Sequence, residues 1–345
     1  MDFGRFLTGI AGELEKLRHD RERFSAARLS QLSETDDVVA VGLGQRGEPG
    51  GQIAKDQFLV ALNNKAPWGG HWDRCSTSSV TRFILGAPGP VLDAWRSALG
   101  ISPDGPVGLS GLKLCVEDAS PDSCFGLLAF LALMSGVDRQ AIPPRWIEHV
   151  DAWERGFTPK ELSPISYGDL HSPLVHANVK DDIRTAWIDG LALMVACLET
   201  GVDPEAIDVD TMNTIIVRAI TVLRYERSNY RNVRDSLPRL QLELPLAAFP
   251  ERRMLIDAVI SEERLLFGSS KVDLRADREH SFLGRGYTLY ALHRPDEAGE
   301  GGDMTVSLDP SCGLSLADLW QALEHEEDKR WGQCPSSGIL GQLAA

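Results

Sequence analysis

The longest apolar stretch of the chain covers residues 112–136 and is interrupted by a short polar segment. The part before the interruption, 112–116, has the length of a buried strand, and the part after it continues as an unbroken apolar run. Between them lies an acidic turn that contains Glu117, Asp118 and Asp122. The pattern predicts a buried strand, an acidic turn and a buried helix, and we expect the rest of the chain to be organised around this element.

Apolar residues recur at intervals of three and four in several other segments, which is typical of helices with one buried face. The first of these segments is the amphipathic N-terminal part of the chain. Glycine and proline residues follow the later segments closely and favour helix ends there. The expected helices lie within residues 1–32 and at 90–99, 143–153, 183–200 and 210–235.

Alternation of apolar and polar residues begins after Pro238 and predicts four strands, at 240–244, 255–260, 287–292 and 304–308. Three shorter runs, at 37–41, 58–62 and 81–85, are also typical of strands. The glycines of segment 42–47 have the spacing of a dinucleotide-binding loop. Because Glu48, Pro49 and two further glycines follow, and such residues break a helix, we predict a glycine-rich hairpin between the first two runs instead.

These elements predict an α/β fold with more than one domain, since 345 residues exceed what one hydrophobic core usually organises. An N-terminal α/β sheet domain is assigned to residues 1–200. A helical connection follows over 201–237, and a β-rich α+β C-terminal domain covers 238–345.

The composition of the chain restricts the classes of molecule that it is expected to bind. The chain has 50 acidic against 35 basic residues, a net charge of −15, which argues against sequence-independent binding to nucleic acid or to an anionic membrane. A local basic patch remains compatible with phosphate binding. No apolar run reaches the about 20 residues of a membrane span, and the first twenty residues lack a signal peptide's apolar centre. The six cysteines show no paired spacing and are expected to be reduced thiols, so we predict a cytoplasmic protein without a membrane partner.

The acidic turn is the best-placed candidate for chemistry. Asp118 and Asp122 follow a predicted strand, and ligands of open α/β sheets bind beyond the carboxyl ends of the strands. The residues expected to complete a Mn or Mg site come from a second, irregular segment at 167–178 and the helix start that follows it: His171, His176 and Asp181. The alternative is that Ser120 and Asp122 only cap a helix.

Arginines later in the chain are the candidate phosphate-binding residues. On the predicted helix at 210–235, Arg224, Arg227, Arg231 and Arg234 recur at intervals of three and four, so that their guanidinium groups share one face. Arg285 lies between two glycines, where backbone and guanidinium can approach an anion together. The alternative for the helix arginines is a solvated, salt-bridged helix face, and the alternative for Arg285 is an ordinary turn.

The segment Asp118-x-x-Pro121-Asp122-x-Cys124, placed between a strand and an apolar helix, resembles the first motif of the DHH-type phosphoesterases. That family has a His-x-x-Pro-Asp-x-Asp loop that supplies manganese ligands. This chain has aspartate in place of the histidine and Cys124 in place of the second aspartate, and it has no Asp-His-His triplet. The resemblance covers about a fifth of the chain and implies a two-domain, metal-dependent phosphoesterase.

Two hypotheses follow. In the first, the protein is a divergent divalent-metal phosphoesterase that hydrolyses a phosphate ester or phosphodiester, with Asp118 and Asp122 as catalytic residues. Its substrate would be a phosphorylated small molecule or an oligonucleotide. In the second, it is a catalytically inactive interaction or scaffold protein that retains the α/β architecture. Its protein partner would contact the tryptophan-bearing segment 68–72 or the C-terminal sheet.

Overall fold

The structure is a computed structural model and contains both helices and strands, so the chain is a mixed α and β protein. It forms two units, Met1–Ser236 with Glu263–Ala276 and Leu237–Glu262 with Asp277–Ala345. The domain boundaries expected at 200/201 and 237/238 stay predictions. The structure describes residues 1–24, 26–27, 40–43, 59–62, 79–98, 101, 107–109, 113–116, 119–179, 182–261, 269–295, 302–319, 321–322 and 325.

Helices dominate the first unit, and all five expected helices are present. None of the helices in the described ranges is long and apolar enough to cross a bilayer. The helices are α1 Phe3–His19, α2 Val80–Gly86, α3 Gly89–Ala98, α4 Pro121–Met134, α5 Pro144–Glu154, α6 Tyr167–Val179, α7 Ile183–Glu199, α8 Thr214–Val233 and α9 Ser269–Ala276.

Helix α4 is the centre of the first unit, and all of its 14 residues are buried. It begins where the sequence provides a cap: the Ser120 hydroxyl accepts a hydrogen bond from the Ser123 amide, and Pro121 occupies the first turn. Each fully buried leucine or phenylalanine on it contributes about 2 kcal/mol of burial free energy. The helix packs against α2, α5 and α7, so the predicted apolar element does organise its surroundings.

A parallel sheet accompanies these helices. Its strands are β1 Ala26–Ala27, β2 Ala40–Leu43, β3 Leu59–Leu62 and β4 Lys113–Val116, in the order β1-β4-β2-β3. The predicted hairpin between β2 and β3 is wrong, because Ala40 pairs with Leu59 and Leu43 with Leu62 in a parallel register. Parallel neighbours need a crossover of about a dozen residues or more, which a tight turn cannot supply. The glycine loop beyond residue 43 lies outside the described residues.

Two further segments differ from the prediction. The run at 81–85, expected as a strand, lies in helix α2, which the side chain of Ser79 caps by accepting from the Arg82 amide. The segment at 167–178, expected as an irregular loop, is helix α6. Its start is a capping box in which the Ser166 hydroxyl accepts from the Asp169 amide and the Asp169 carboxylate accepts from the Ser166 amide.

The second unit contains a mixed four-stranded sheet, and each of the four predicted strands is present. Its strands are β5 Arg239–Pro245, β6 Arg253–Ser261, β7 Leu289–Pro295 and β8 Gly302–Leu308, in that order across the sheet. The outer pairs β5–β6 and β7–β8 are antiparallel, and the central pair β6–β7 is parallel. A small apolar core that includes Leu244, Ile256 and Leu289 packs on this sheet.

Candidate functional site

The five predicted metal ligands divide into two groups. Asp118 and Asp181 lie outside the described residues, as does the tryptophan-bearing segment 68–72. Asp122 stands in the first turn of α4, and His171 and His176 stand on α6, which brings the two elements of the predicted site into the same unit. The geometry of Asp122 and His171 decides what these two residues can do.

Asp122 is 2% exposed, and both of its carboxylate oxygens accept hydrogen bonds from the start of α2. Oδ1 accepts from the Ser79 hydroxyl at 2.5 Å and from the Thr81 amide at 3.2 Å, and Oδ2 accepts from the Val80 amide at 2.6 Å. Burial raises the pKa of this carboxyl, while the hydrogen bonds from Ser79, Thr81 and Val80 act against that rise. The carboxylate therefore joins α4 to the N-terminus of α2.

Gly126, one turn further along α4, permits this close approach. A Cβ atom at that position would lie 2.8 Å from Cγ1 of Val80, a separation that the packed helices do not allow. The missing side chain lets α2 sit directly on α4, and Asp122 then reaches the amides of α2.

His171 is also fully enclosed, at 1% exposure. Its Nε2 lies 2.7 Å from the carbonyl oxygen of Ala119, and its Nδ1 lies 2.6 Å from the hydroxyl of Tyr167. Because a carbonyl only accepts, Nε2 carries the proton and donates it, and Nδ1 accepts from the tyrosine hydroxyl. Burial lowers the pKa of His171 to about 4, so the ring is neutral at physiological pH. Burial also raises the pKa of Tyr167 well above its usual value and keeps the phenol protonated.

The bond from His171 to Ala119 ties α6 to the backbone of the acidic turn. One predicted ligand is thus adjacent to the turn, as the hypothesis required, but its two ring nitrogens are both used inside the protein. His176 is exposed, and its Nδ1 donates to the carbonyl of Ser172 at 2.7 Å on the same helix.

A manganese or magnesium ion would compete with the hydrogen bonds that hold Asp122 and His171 in this arrangement. Within the described part of the chain no group of three or more histidine, cysteine or acidic side chains is arranged to hold a metal ion. The metal site as a whole stays a prediction, since Asp118 and Asp181 are not among the described residues.

The predicted arginine stripe on α8 does not form one uniform face. Arg224 and Arg231 are exposed, but the side chain of Arg227 is only 11% exposed. Its Nε lies 3.8 Å from a carboxylate oxygen of Asp273, and its Nη1 donates to the carbonyl of Leu162 at 3.2 Å. Arg227 is therefore held within the unit by α9 and a loop, which separates it from its exposed neighbours.

Arg285 belongs to the second unit and is exposed there. Gly284 and Gly286 beside it have φ angles of 67° and 79°, which favour glycine, and the Gly286 amide donates to the Ser281 hydroxyl at 2.9 Å. The two glycines and a hydrogen bond within the segment therefore stabilise the turn around Arg285. Phosphate binding by Arg224, Arg227, Arg231 and Arg285 stays a prediction.

Sequence reasoning missed a cavity of about 280 Å³ in the first unit, which we call the arginine cavity. Asp189 is one of the lining residues. Its side chain is 5% exposed, and its Oδ2 lies 2.9 Å from Nη1 of Arg218. Nη2 of Arg18 lies 3.9 Å from the other carboxylate oxygen of Asp189. The cavity joins residues that are far apart in sequence, so no local motif indicates it. It is lined by Arg18, Arg21, Thr185, Ile188, Asp189, Thr214, Ile215 and Arg218.

Comparison of the chain with family models, with curated proteins and with solved structures found no match. The case for a function therefore depends on the geometry of the first unit.

Proposed function

We propose that the protein is a non-catalytic binding protein in which the acidic-turn region serves structure. The observation that supports this proposal is the internal bonding of the two described central candidates. Asp122 is bonded by Ser79, Val80 and Thr81, and His171 by Tyr167 and Ala119. The Asp122 contacts join α4 to α2 and the His171–Ala119 contact joins α6 to the turn, while the Tyr167 hydroxyl, one turn earlier on α6, fixes the His171 ring, so the polar groups act as internal cross-links.

Recruiting these side chains as metal ligands would be unfavourable. A divalent cation on Asp122 would compete with the Ser79 hydroxyl and two amides of α2 for the two carboxylate oxygens. Each buried donor left unsatisfied costs about 1–3 kcal/mol. A cation on Nδ1 of His171 would likewise displace the Tyr167 hydroxyl from the only lone pair of the ring.

A second candidate is the divergent metal-dependent phosphoesterase, which one observation favours. His171 is held against Ala119, the residue next to Asp118, just after the carboxyl end of β4. In this candidate Asp118 and Asp181 supply the remaining ligands for manganese or magnesium. This second candidate also includes the predicted domain arrangement. The arrangement is an N-terminal α/β domain, a helical connection and a β-rich α+β C-terminal domain, like those implied by the DHH-type resemblance.

The full-length protein, titrated with Mn²⁺ in a calorimeter and assayed for hydrolysis of bis(p-nitrophenyl) phosphate, distinguishes the two candidates. A binding protein shows neither tight manganese binding nor hydrolysis above that of free manganese. The matched variant is Asp118→Asn, which leaves the Asp122 contacts in place. Manganese-dependent hydrolysis by the natural protein that Asp118→Asn abolishes would establish the phosphoesterase and end our proposal.

A further inference from the structure

The arginine cavity has an excess of positive charge. Three guanidinium groups line it, against the single carboxylate of Asp189. Three acids lie near the lining residues: Glu15 is largely exposed and 4.0 Å from Arg18, Glu22 is bonded to Arg184 at 2.7 Å, and Asp182 accepts from the Thr185 hydroxyl at 2.9 Å. The residues that line the cavity themselves carry two net positive charges, in a protein whose overall charge is −15.

Asp189 also orients the arginines. Its nearly buried carboxylate lies between Arg18, from α1, and Arg218, from α8, so that two helices present guanidinium groups to the same space. A guanidinium group offers a planar set of donors that matches phosphate and carboxylate oxygens in a bidentate way. The side chains of Arg18 and Arg218 are 31% and 48% exposed, so solvent and a ligand can reach them.

The start of α8 adds to the positive potential. Thr214, its first residue, lines the cavity, and a helix of 20 residues carries a partial positive charge at its N-terminus. Asn213 already accepts from the amides of Ile215 and Ile216, so the helix contributes through its field and the arginines supply the hydrogen bonds.

The size and charge of the cavity define a class of ligand. A volume of about 280 Å³ is at the small end of ligand pockets, which typically measure about 300–1,000 Å³. A phosphate monoester carries a charge of about −1.5 to −2 at pH 7, which matches two net positive charges better than a monocarboxylate does. Ile188 and Ile215 provide apolar surface for an organic group.

We propose that the arginine cavity binds the phosphate group of a small phosphorylated molecule. The guanidinium groups of Arg18, Arg21 and Arg218 hold the phosphate, and Ile188 and Ile215 contact the organic part. This inference goes beyond the proposed function and depends on different residues, since neither Asp122 nor His171 lines the cavity.

Calorimetric titration of the full chain with phenyl phosphate, compared with benzoate at equal ionic strength, tests the ligand class. Both molecules carry one aromatic ring, and they differ in charge and in the number of acceptor oxygens. We expect phenyl phosphate to bind at least about tenfold more tightly than benzoate, since a lost charge-assisted hydrogen bond corresponds to about a tenfold change in affinity or more. Equal affinity for the two would overturn the assignment to phosphate.

A pair of variants that each remove one positive charge tests the location. Arg218→Gln removes a charge from the cavity and should weaken phenyl phosphate binding at least about tenfold. Arg5→Gln removes the same charge from an exposed position of α1 outside the cavity and should change the affinity less than about twofold. Equal losses in the two variants would indicate binding to the general positive charge of the surface and would contradict the proposal.

Two further variants keep the test decisive if Arg218→Gln folds poorly. Arg21 is exposed, so Arg21→Gln should leave the fold intact and still weaken binding several-fold. Asp189→Asn removes the negative charge that competes with the ligand, while its amide oxygen can still accept from Arg218 and orient it, and should strengthen binding several-fold. Unchanged affinity in both would show that phenyl phosphate binds elsewhere. None of these outcomes depends on manganese, so the inference and the proposed function can fail separately.

Discussion

Two polar regions of the first unit differ in whether their hydrogen-bonding groups are available. In the acidic-turn region, Asp122 and His171 are 2% and 1% exposed, and hydroxyls, amides and a carbonyl of the same chain bond to both carboxylate oxygens and to both ring nitrogens. In the arginine cavity, three guanidinium groups line open space, and the one carboxylate among the lining residues lies near two of them. Whether a cluster of polar residues can bind a ligand therefore depends more on the partners that those residues already have than on their residue types.

The largest expected effect comes from Asp122→Asn. The amide has one acceptor oxygen where the carboxylate has two, and its NH₂ group faces donors, so at least one amide or hydroxyl at the start of α2 is left without an acceptor. We expect the free energy of unfolding to fall by about 3 kcal/mol, measured by urea denaturation. The control is Asp93→Asn, since Asp93 is 74% exposed and pairs with Arg96 on the surface of α3. The control should change stability by less than about 0.5 kcal/mol.

The Asp122→Asn variant also tests whether the acidic-turn region and the arginine cavity differ in the availability of their polar groups. Stability equal to that of the control would mean that Asp122 does not hold α2 to α4. The carboxylate would then be available for other roles, and the contrast between the two regions would disappear.

A smaller effect is expected from the titration of His171. The folded-state pKa of about 4 lies below the usual value of about 6.5, so the unfolded chain takes up a proton first as the pH falls. Stability from this residue is fully present above pH about 6.5 and is lost as the pH falls towards 4. Linkage gives a loss of about 2 kcal/mol between pH 7.5 and pH 5.

His171→Gln isolates that contribution. Glutamine can accept from Tyr167 and donate to Ala119 but does not titrate in this range. The stability of the natural protein should therefore fall by about 2 kcal/mol more than that of the variant between pH 7.5 and pH 5. Identical pH profiles would show that His171 is accessible to protons in the folded state, contrary to its enclosed position.

Strong local patterns made much of the fold predictable. Helices α4, α7 and α8 follow from long apolar periodicities with clear end signals, and Ser120 is the cap that the sequence indicates. The four strands of the second unit follow from alternation. The sequence also contains a signal for helix α6, since Ser166 and Asp169 have the spacing of a capping box, but the segment 167–178 was predicted to be irregular.

The rest depends on contacts between distant parts of the chain. Asp122 was predicted to bind a metal, with capping of its own helix as the alternative, but its carboxylate bonds to α2, about 40 residues earlier. The parallel pairing of β2 with β3 likewise depends on tertiary contacts, and the sequences of these short strands do not indicate it. Arg18 and Arg218 meet at Asp189 only after α1, α7 and α8 have packed, so the arginine cavity has no signature in the sequence.

The most direct test of the account is the change in melting temperature caused by phenyl phosphate in three proteins: the natural chain, Asp122→Asn and Arg218→Gln. At a hundredfold excess over Kd, ligand should raise the Tm of the natural chain by about 5 °C. Asp122→Asn should start from a lower Tm and show the same rise, and Arg218→Gln should lose about half of the rise or more. A rise that disappears in Asp122→Asn and persists in Arg218→Gln would place ligand binding at the acidic turn and contradict the account.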